Sequence, residues 1–311
     1  MWCLDGWLET SLNRLMSELR HFLSGEELSP EEILGLVERA QELKGGRSAG
    51  VEEDALAGLS VALYFERPST RTRISFQVAV AELGGNPIPL RADELQLGRG
   101  ESVKDTALML SRFVHGVVIR SGSDETVLEL AEHSEVPVIN GLTPRQHPCQ
   151  VLADLTTLAE RFGKLDGLRL AYVGDGNNVA RSLCVLGAMV GVEVVVAAPD
   201  GYRLEDGVAA QQVEDPFEAA EGAHALYTDV WVSMGDEATA EERRAALRPY
   251  QLREELMEVA DDDAVVLHCL PAHPGEEITE GLLYGKSSAV WDQAENRLHA
   301  QKALLELLLA G

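Results

Sequence analysis

Short runs of β-branched and other apolar residues alternate along the chain with longer segments whose apolar residues recur every three or four positions. The short runs are typical of buried strands and the longer segments of amphipathic helices, so the alternation predicts βαβ units with parallel sheets. The predicted strands are Leu59–Phe65, Gly116–Ile119, Val136–Ile139, Leu168–Val173, Val192–Ala197, Ala225–Tyr227, Val230–Ser233, Ala264–His268 and Ser288–Trp291. The predicted helices are Pro30–Leu43, Thr70–Leu83, Val103–Phe113, Glu125–Glu132, Gln150–Phe162, Val179–Val190 and Asp292–Leu309.

The strands fall into two groups, separated by the helix Gln150–Phe162 and the turn residues that follow it. We therefore expect an α/β protein with two domains of similar size, residues 1–149 and 150–291. Each domain is expected to be a parallel sheet flanked by helices, with a cleft between the two. The last helix, in residues 292–311, is expected to pack back onto the first domain.

Composition narrows the class of protein. The chain has 311 residues and a formal net charge of −26, which argues against nucleic acid as a partner, because phosphate backbones are bound through basic surfaces. No apolar run approaches the roughly 20 residues of a membrane-spanning helix. Four scattered cysteines and the absence of a secretion-signal pattern favour a cytoplasmic protein over a disulfide-stabilised one.

Polar residues follow the strands of the first group at the edge where parallel sheets bind ligands. Ser69–Thr72 lie between a strand and a helix, where hydroxyls, an arginine fork and helical N–H groups suit a phosphate. Arg120 follows the next strand and is a candidate second anion ligand. His147 opens the helix between the domains, with Gln150 on the same helical face.

Three segments of the second group carry further candidates. Gly174–Asn178 begins like a dinucleotide fingerprint, but Val179 occupies the third glycine position, and the two asparagines favour amide contacts to a small polar ligand. Asp229 is a candidate partner for a ligand ammonium group. Cys269 ends a strand at the ligand edge, although spacing alone assigns it neither a metal nor a catalytic base.

Four motifs in order along the chain resemble those of ornithine carbamoyltransferase, from about Pro30 to Arg297. Two of them, Ser69–Thr72 and His147–Gln150, are similar across carbamoyltransferases generally. The other two, Asp229–Gly235 and His268–Pro271, point to ornithine rather than aspartate. Ordered matches of this kind are far more specific than any single motif.

The resemblance implies transfer of a carbamoyl group from carbamoyl phosphate to L-ornithine, giving L-citrulline and phosphate in an arginine-biosynthesis type of step. It implies no metal and no organic cofactor, and a homotrimer or an assembly of trimers. The residues that it assigns to carbamoyl phosphate are Ser69, Thr70, Arg71, Thr72, Gln96, Arg120, His147, Gln150, Cys269, Leu270 and Arg297, with Gln96 reaching a neighbouring subunit's site. Those that it assigns to ornithine are Asn178, Asp229, Ser233 and Met234. The catalytic set that it implies is Arg120, His147, Cys269 and Asp229.

Pro144 departs from the family pattern, which usually has an acid ahead of the His-Pro motif, and this affects the expected path of the loop to His147. The nearest competing function is a carbamoyltransferase for putrescine or an acylated ornithine. Asp229 and the turn at Ser233–Gly235 argue against it, because those substrates lack the free α-amino group, the α-carboxylate or both. A dehydrogenase that uses the Gly174–Asn178 turn and a non-catalytic binding protein of the same fold are two more distant possibilities.

Overall fold

The computed structural model describes residues 19–67, 69–93, 100–205, 207–233 and 237–310. The elements of its first half are α1 (Pro30–Ser48), β1 (Ser60–Phe65), α2 (Arg71–Glu82), β2 (Asn86–Arg91), α3 (Val103–Phe113), β3 (Gly116–Arg120), α4 (Asp124–His133), β4 (Val138–Leu142) and α5 (Pro148–Phe162). Those of its second half are β5 (Arg169–Val173), α6 (Asn178–Met189), β6 (Glu193–Ala197), β7 (Gln211–Val213), α7 (Pro216–Ala220), β8 (Ala225–Thr228), α8 (Ala240–Leu247), α9 (Glu254–Met257), β9 (Val265–His268), α10 (Glu280–Tyr284) and α11 (Val290–Leu309). Two short 3₁₀ turns flank α8, at Glu237–Thr239 and Arg248–Tyr250.

Helix starts follow the local sequence. Ser29 caps α1 by accepting a hydrogen bond from the Glu32 amide, while the Glu32 carboxylate accepts one from the Ser29 amide. Pro30 occupies the first turn, where a missing N–H has no consequence. The start of the predicted helix Pro30–Leu43 is confirmed.

The first sheet has the strand order β2-β1-β3-β4, and all its pairs are parallel. Strands β2 and β3 lie on opposite sides of β1, so the connections to them run in opposite directions. This reversal opens a crevice between the carboxyl ends of β1 and β3. The register pairs Phe65 with Arg120 and Arg120 with Leu142, so the segments that follow these three strands begin at the same edge.

The second sheet repeats this arrangement with the order β7-β6-β5-β8-β9, again all parallel. Its crevice lies between β5 and β8, where the chain reverses the direction of strand addition. The register pairs Tyr172 with Tyr227 and Thr228 with His268, so the turns that carry Asn177, Asp229 and Cys269 leave one edge. Two parallel sheets flanked by helices confirm the predicted fold class.

Helices α5 and α11 connect the two sheets. Helix α11 packs against α1, α2 and α5 and also contacts β9, and one buried apolar cluster runs from Val61 and Leu63 of β1 to Tyr172 of β5 and Leu267 of β9. Side chains that these two helices present to the cleft are therefore supported by packing against both halves of the protein.

The domain boundaries at residues 150 and 291 stay a prediction. Within the described ranges no helix is long and apolar enough to cross a bilayer.

The structure corrects the expected strands in four places, and the short helices α7 to α10 were not predicted. The predicted strand at 230–233 is wrong, because β8 ends at Thr228 and the following residues form bends. The predicted strand at 288–291 is also wrong: Ser288 makes an isolated bridge to Val266, and α11 begins at Val290. Strands β2 and β7 were not predicted. Strand β2 contains Pro87 and Pro89, which are tolerated because it is an edge strand.

Candidate active site

A cleft with a volume of about 640 Å³ lies where the crevices of the two sheets face each other. Its walls come from the segments after β1, β3 and β4 on one side and after β5, β8 and β9 on the other. Because both sheets reverse their strand order at this edge, turns rather than strands line the cleft, and their polar groups are available to a ligand. This position is the one expected for a small-molecule site.

One wall is the N-terminus of α2, with Ser69, Thr70 and Thr72 supplying hydroxyls. Thr70, the residue before the helix, makes no side-chain hydrogen bond to the first turn, in contrast to the serine caps of α1, α3 and α4. The leading N–H groups of α2 therefore lack the usual side-chain acceptor. An uncapped helix start lined with hydroxyls suits a phosphate group.

Three arginines, Arg71, Arg120 and Arg297, surround this helix start. Arg297 donates from Nη2 to Thr72 Oγ1 at 2.6 Å and from Nη1 to Gln150 Oε1 at 2.7 Å. Arg120 Nη1 lies 3.4 Å from both Ser69 Oγ and Thr72 Oγ1. No carboxylate among the described residues forms a salt bridge with any of the three. The cluster therefore offers concentrated positive charge to an anion.

The charge of this cluster is unfavourable in the unliganded protein. Burial lowers the pKa of Arg120 to about 10, with help from the neighbouring charges of Arg297 and Arg71. Burial also lowers the pKa of Arg297, and the charge of Arg71 acts in the same direction. Arg297 Nε is buried without a hydrogen-bond partner among the described residues. An anion that enters here relieves repulsion and supplies missing acceptors, which favours a doubly charged phosphate.

His147 stands beside the arginines as the residue before α5. Its backbone N–H donates to Ser182 Oγ at 2.9 Å, and Thr143 N–H donates to Gln146 O at 2.9 Å, so the loop containing Pro144 has a defined path to the cleft. The side chain is buried, and its Nδ1 has no partner among the described residues. Burial, followed by the charges of Arg297, Arg120 and Arg71, lowers the pKa of His147 well below its usual value. The imidazole is therefore neutral at physiological pH and available as a hydrogen-bond donor.

We expect His147 to make the free protein sensitive to mild acid. A histidine pKa that is lower in the folded than in the unfolded state gives stability that is present above about pH 6.5 and lost as the pH falls. Between pH 8 and pH 5.5 the free energy of unfolding should fall by about 1.4 kcal/mol more in the wild type than in His147→Gln. Urea unfolding of both proteins at the two pH values, without anions, measures this difference; parallel losses would contradict the buried, neutral assignment.

The opposite wall holds a hydrogen-bonded group of Asn177, Asp229 and Cys269. Cys269 Sγ donates to Asp229 Oδ1 at 2.8 Å, and Asn177 Nδ2 donates to Asp229 Oδ2 at 2.7 Å. Asn177 is itself fixed, because its Oδ1 caps α6 by accepting from the amides of Val179 and Ala180. A rigid carboxylate at the rim of a sheet suits a ligand ammonium group.

Cys269 is a protonated thiol in this arrangement. Burial and the adjacent Asp229 carboxylate raise the pKa of Cys269 well above its usual value.

Leu270, the next residue, has φ 59°, in the left-handed region that costs a non-glycine residue about 1–2 kcal/mol. The bond from Leu270 to Pro271 is cis, and both residues line the cleft. A non-glycine residue held at positive φ is typical of ligand sites.

Asp229, His268 and Cys269 bring potential metal-ligating atoms within 4.8 Å of one another. Their hydrogen bonds argue against a metal there. His268 Nδ1 accepts from the Leu270 amide at 2.8 Å, and Nε2 lies 3.3 Å from Glu277 Oε1, so neither ring nitrogen has a free lone pair.

Twelve of the residues chosen from the sequence line this cleft: Ser69, Thr70, Arg71, Thr72, Arg120, His147, Asn178, Asp229, Ser233, Cys269, Leu270 and Arg297. Gln150 is fully buried behind the wall and reaches the cleft through Arg297. Asn178 also ties the halves together, donating from Nδ2 to Thr143 O at 2.7 Å. Gln96 and Met234 lie outside the described residues.

Sequence reasoning missed two buried polar residues behind the cleft, Asp154 and Gln293. Both are fully buried, and Gln293 Nε2 donates to Asp154 Oδ1 at 2.7 Å. Asp154 stands within the predicted Gln150–Phe162 helix, and Gln293 stands near the start of the predicted C-terminal helix. The one available signal was the position of Asp154, one helical turn after Gln150 on the same face.

The fold and the cleft define a two-part α/β protein with a cleft between its sheets that suits a small phosphorylated ligand. Comparison with known families matches the carbamoyl-P binding domain of aspartate/ornithine carbamoyltransferase to residues 20–160 and the Asp/Orn binding domain to residues 166–308. The chain belongs to the aspartate/ornithine carbamoyltransferase family. The family resemblance predicted from the four motifs is therefore confirmed.

Individual relatives are similar to this chain over nearly its whole length. An ornithine carbamoyltransferase of Symbiobacterium thermophilum is 50% identical over 304 residues, which covers 94% of this chain and 98% of the relative. One from Archaeoglobus fulgidus is 49% identical over 300 residues, covering 94% and 98%. Among solved structures, the Pyrococcus furiosus enzyme has a TM-score of 0.91 at 45% identity, covering 94% of this chain and 97% of that one. The Thermus thermophilus enzyme has a TM-score of 0.84 at 46% identity, covering 90% and 96%.

Proposed function

We propose that this chain transfers the carbamoyl group of carbamoyl phosphate to the δ-amine of L-ornithine, giving L-citrulline and phosphate. The observation that carries the proposal is the pairing of two unlike walls in one cleft. One wall is a cluster of arginines without a carboxylate partner among the described residues, and the other is a fixed carboxylate at Asp229. A phosphorylated carbamoyl donor and an amino acid with free charged groups match these walls.

Carbamoyl phosphate occupies the arginine side in this proposal. The start of α2, with Ser69, Thr70 and Thr72, and the guanidinium of Arg71 hold the phosphate. Arg120 and His147 extend from the phosphate to the carbamoyl oxygen. Gln150 positions Arg297, and the strained backbone at Leu270 presents polar groups to the carbamoyl amide. Gln96 completes the site from a neighbouring subunit, by analogy with the family.

Ornithine occupies the other wall. Asp229, Asn178 and Ser233 line the same cleft as the arginine cluster but lie on its opposite side. We assign Asp229 to the α-ammonium group, and Ser233 and Met234 to the amino-acid end of the substrate, as the family resemblance implies. This orientation directs the side chain of ornithine toward Cys269 and the carbamoyl carbon.

The chemistry requires a neutral amine. The δ-amine resembles that of lysine, with a free pKa of about 10.4, and a desolvated cleft near arginines favours its uncharged form. Attack forms a C–N bond and develops an oxyanion at the carbamoyl carbon, which Arg120, His147 and Thr72 stabilise. The bond from that carbon to the phosphate oxygen then breaks, and the departing phosphate accepts the amine proton. Positioning and electrostatics therefore carry most of the catalysis.

Cys269 has an orienting role in this mechanism, because a thiol that donates to Asp229 and stays protonated is not available as a base. Cys269→Ser retains a donor of similar size, and we expect its kcat/KM for ornithine to fall by no more than about tenfold. Cys269→Val removes the donor and should lose about a hundredfold. Steady-state rates of both variants measure this; a Ser variant as weak as the Val variant would favour a thiolate mechanism instead.

A colorimetric assay of ureido products tests the function directly. Purified protein and carbamoyl phosphate are offered ornithine, putrescine, N-acetylornithine and aspartate separately. We expect product with ornithine and at most a small fraction of that rate with the other amines. Preferred turnover of putrescine or N-acetylornithine would preserve the phosphate subsite and overturn the assignment of Asp229, whereas no product with any amine would favour a binding protein.

We further propose a homotrimer, or an assembly of trimers, that acts in the cytoplasm in arginine biosynthesis. Support comes from family resemblance and from the assignment of Gln96 to a neighbouring subunit's site. We also propose the division into a carbamoyl-phosphate-binding domain, residues 1–149 together with 292–311, and an ornithine-binding domain, residues 150–291. Particle mass in solution, measured by light scattering, tests the trimer.

A further inference from the structure

Asp154 is a fully buried carboxylate in the middle of α5, one turn beyond Gln150. It does not line the cleft, and no salt bridge joins it to a described residue. Buried carboxylates are uncommon because removing them from water is unfavourable unless they have strong partners. Two amide side chains donate hydrogen bonds to Asp154, the hydroxyl of Tyr227 lies beside them, and both amides lead to the active site.

The first amide is that of Gln150. Its Nε2 donates to Asp154 Oδ1 at 2.8 Å, and its Oε1 accepts from Arg297 Nη1 at 2.7 Å. An amide has a donor end and an acceptor end, and the other orientation would place the carbonyl oxygen against the carboxylate and the NH₂ group against the guanidinium. Asp154 and the Arg297 guanidinium therefore both favour the orientation in which the oxygen of Gln150 faces Arg297.

The second amide is that of Gln293. Its Nε2 donates to the same Asp154 oxygen at 2.7 Å, and its Oε1 accepts from the backbone amide of His268 at 2.8 Å. His268 is the last residue of β9 and directly precedes Cys269. One carboxylate oxygen thus fixes two amides, one behind the carbamoyl phosphate wall and one behind the start of the Cys269 turn.

We infer that Asp154 is a positioning residue, whose Oδ1 orients Gln150, and through it the Arg297 guanidinium, for carbamoyl phosphate. This inference rests on the proposed carbamoyl transfer and adds to it a residue that does not touch the substrate. Hydrogen-bond acceptance, rather than negative charge, is what the geometry requires. Burial raises the pKa of Asp154 to about 7, and a protonated carboxyl group still accepts through its carbonyl oxygen.

Two variants of nearly the same size separate hydrogen-bond acceptance at the Oδ1 position from the negative charge of the carboxylate. Asp154→Asn keeps an oxygen at the Oδ1 position and places its NH₂ group at Oδ2, which has no hydrogen-bond partner among the described residues. We expect its KM for carbamoyl phosphate to stay within about threefold of wild type. Asp154→Leu removes the acceptor, and we expect that KM to rise about thirtyfold while the KM for ornithine changes less than about twofold.

Steady-state kinetics with each substrate varied, beside thermal unfolding of each variant, measure these effects. A purely structural role would lower the melting temperature of Asp154→Leu and the amount of active enzyme without a selective rise in the carbamoyl phosphate KM. If Asp154→Leu does not fold, Asp154→Ala removes the acceptor without adding bulk and is read in the same way.

Three results overturn the inference. They are a folded Asp154→Leu or Asp154→Ala variant with wild-type KM values, an Asp154→Asn variant as impaired as Asp154→Leu, and equal rises in both KM values. Failure of the proposed function itself looks different, because the wild type would then form no citrulline in the same assay. The Asn variant decides between acceptance and charge even when the other two are unstable.

Discussion

Arg120→Met is expected to reduce kcat/KM for carbamoyl phosphate about a thousandfold and at the same time to make the free protein slightly more stable. The activity falls because Arg120 supplies charge-assisted hydrogen bonds where the carbamoyl oxygen becomes negative, and one such donor is worth about 10²–10³ in rate, with the phosphate contact adding to it. The stability rises because a partly buried cation beside Arg297 and Arg71 is replaced by an apolar side chain of similar length.

Two effects limit the gain in stability: solvent screens the charge of Arg120, and the variant loses the hydrogen bonds of Arg120 to Ser69 and Thr72. Arg120 is partly accessible to solvent, and its hydrogen bonds to Ser69 and Thr72 are long. We therefore expect a gain of about 1 kcal/mol in the free energy of unfolding, measured by urea denaturation without anions. Added phosphate should reverse the order, because it stabilises the wild type more than the variant.

Arg73→Met is the matched control, since Arg73 is exposed on α2, two residues after Arg71, and does not line the cleft. Its kinetics should remain close to those of the wild type. An Arg120→Met variant that keeps near-normal turnover would contradict the anion-binding role. A variant that loses both activity and stability would show that Arg120 acts mainly in folding.

Much of the fold could be predicted from the sequence because each half repeats a strong local pattern. The strands at the centre of each sheet are apolar on both faces, as parallel strands covered by helices must be, so β1, β3, β5 and β6 were predicted within about two residues at each end. Strand β2 was missed for the opposite reason: it lies at an edge, and its prolines and partial exposure hide the pattern.

The apolar run at Val230–Ser233 was misread because burial does not require a strand. Trp231 and Val230 are buried in a bend after β8, where the chain turns into the cleft. Periodicity reports which side chains are buried and not what shape the backbone takes there, so short apolar runs remain ambiguous. At 288–291 the apolar residues belong to the entry into α11.

The candidate site was predictable where its residues stand directly after strands and was not predictable where they meet through packing. Ser69–Thr72 and Arg120 stand at strand ends of the first sheet, and Cys269 follows a strand of the second, so the topology of each sheet places them at its ligand-binding edge. The contact of Arg297 with Thr72 spans 225 positions, and that of Gln293 with Asp154 spans 139. No local pattern specifies such pairs, because they depend on how α11 crosses α5 and α2.

Asp229→Asn is expected to raise the KM for ornithine at least about a hundredfold and to leave the KM for carbamoyl phosphate within about threefold of wild type. The carboxylate is the negative group assigned to the α-ammonium of ornithine, and a charged hydrogen bond lost in a buried cleft costs about 2–4 kcal/mol. The substitution also places an NH₂ group against Asn177 Nδ2, a donor facing a donor, so we expect some loss of thermal stability.

The double variant Asn177→Asp/Asp229→Asn separates these two effects. It restores a donor–acceptor pair between the two positions, and an aspartate at position 177 still accepts from Tyr172 and caps α6, so thermal stability should return. The negative charge, however, now lies on the neighbouring turn rather than beside Cys269. If ornithine is recognised by a carboxylate at position 229, its KM stays raised in the folded double variant. A return of the ornithine KM to the wild-type value would instead mean that recognition requires only the net charge of this wall, and the direct contact assigned to Asp229 would be wrong.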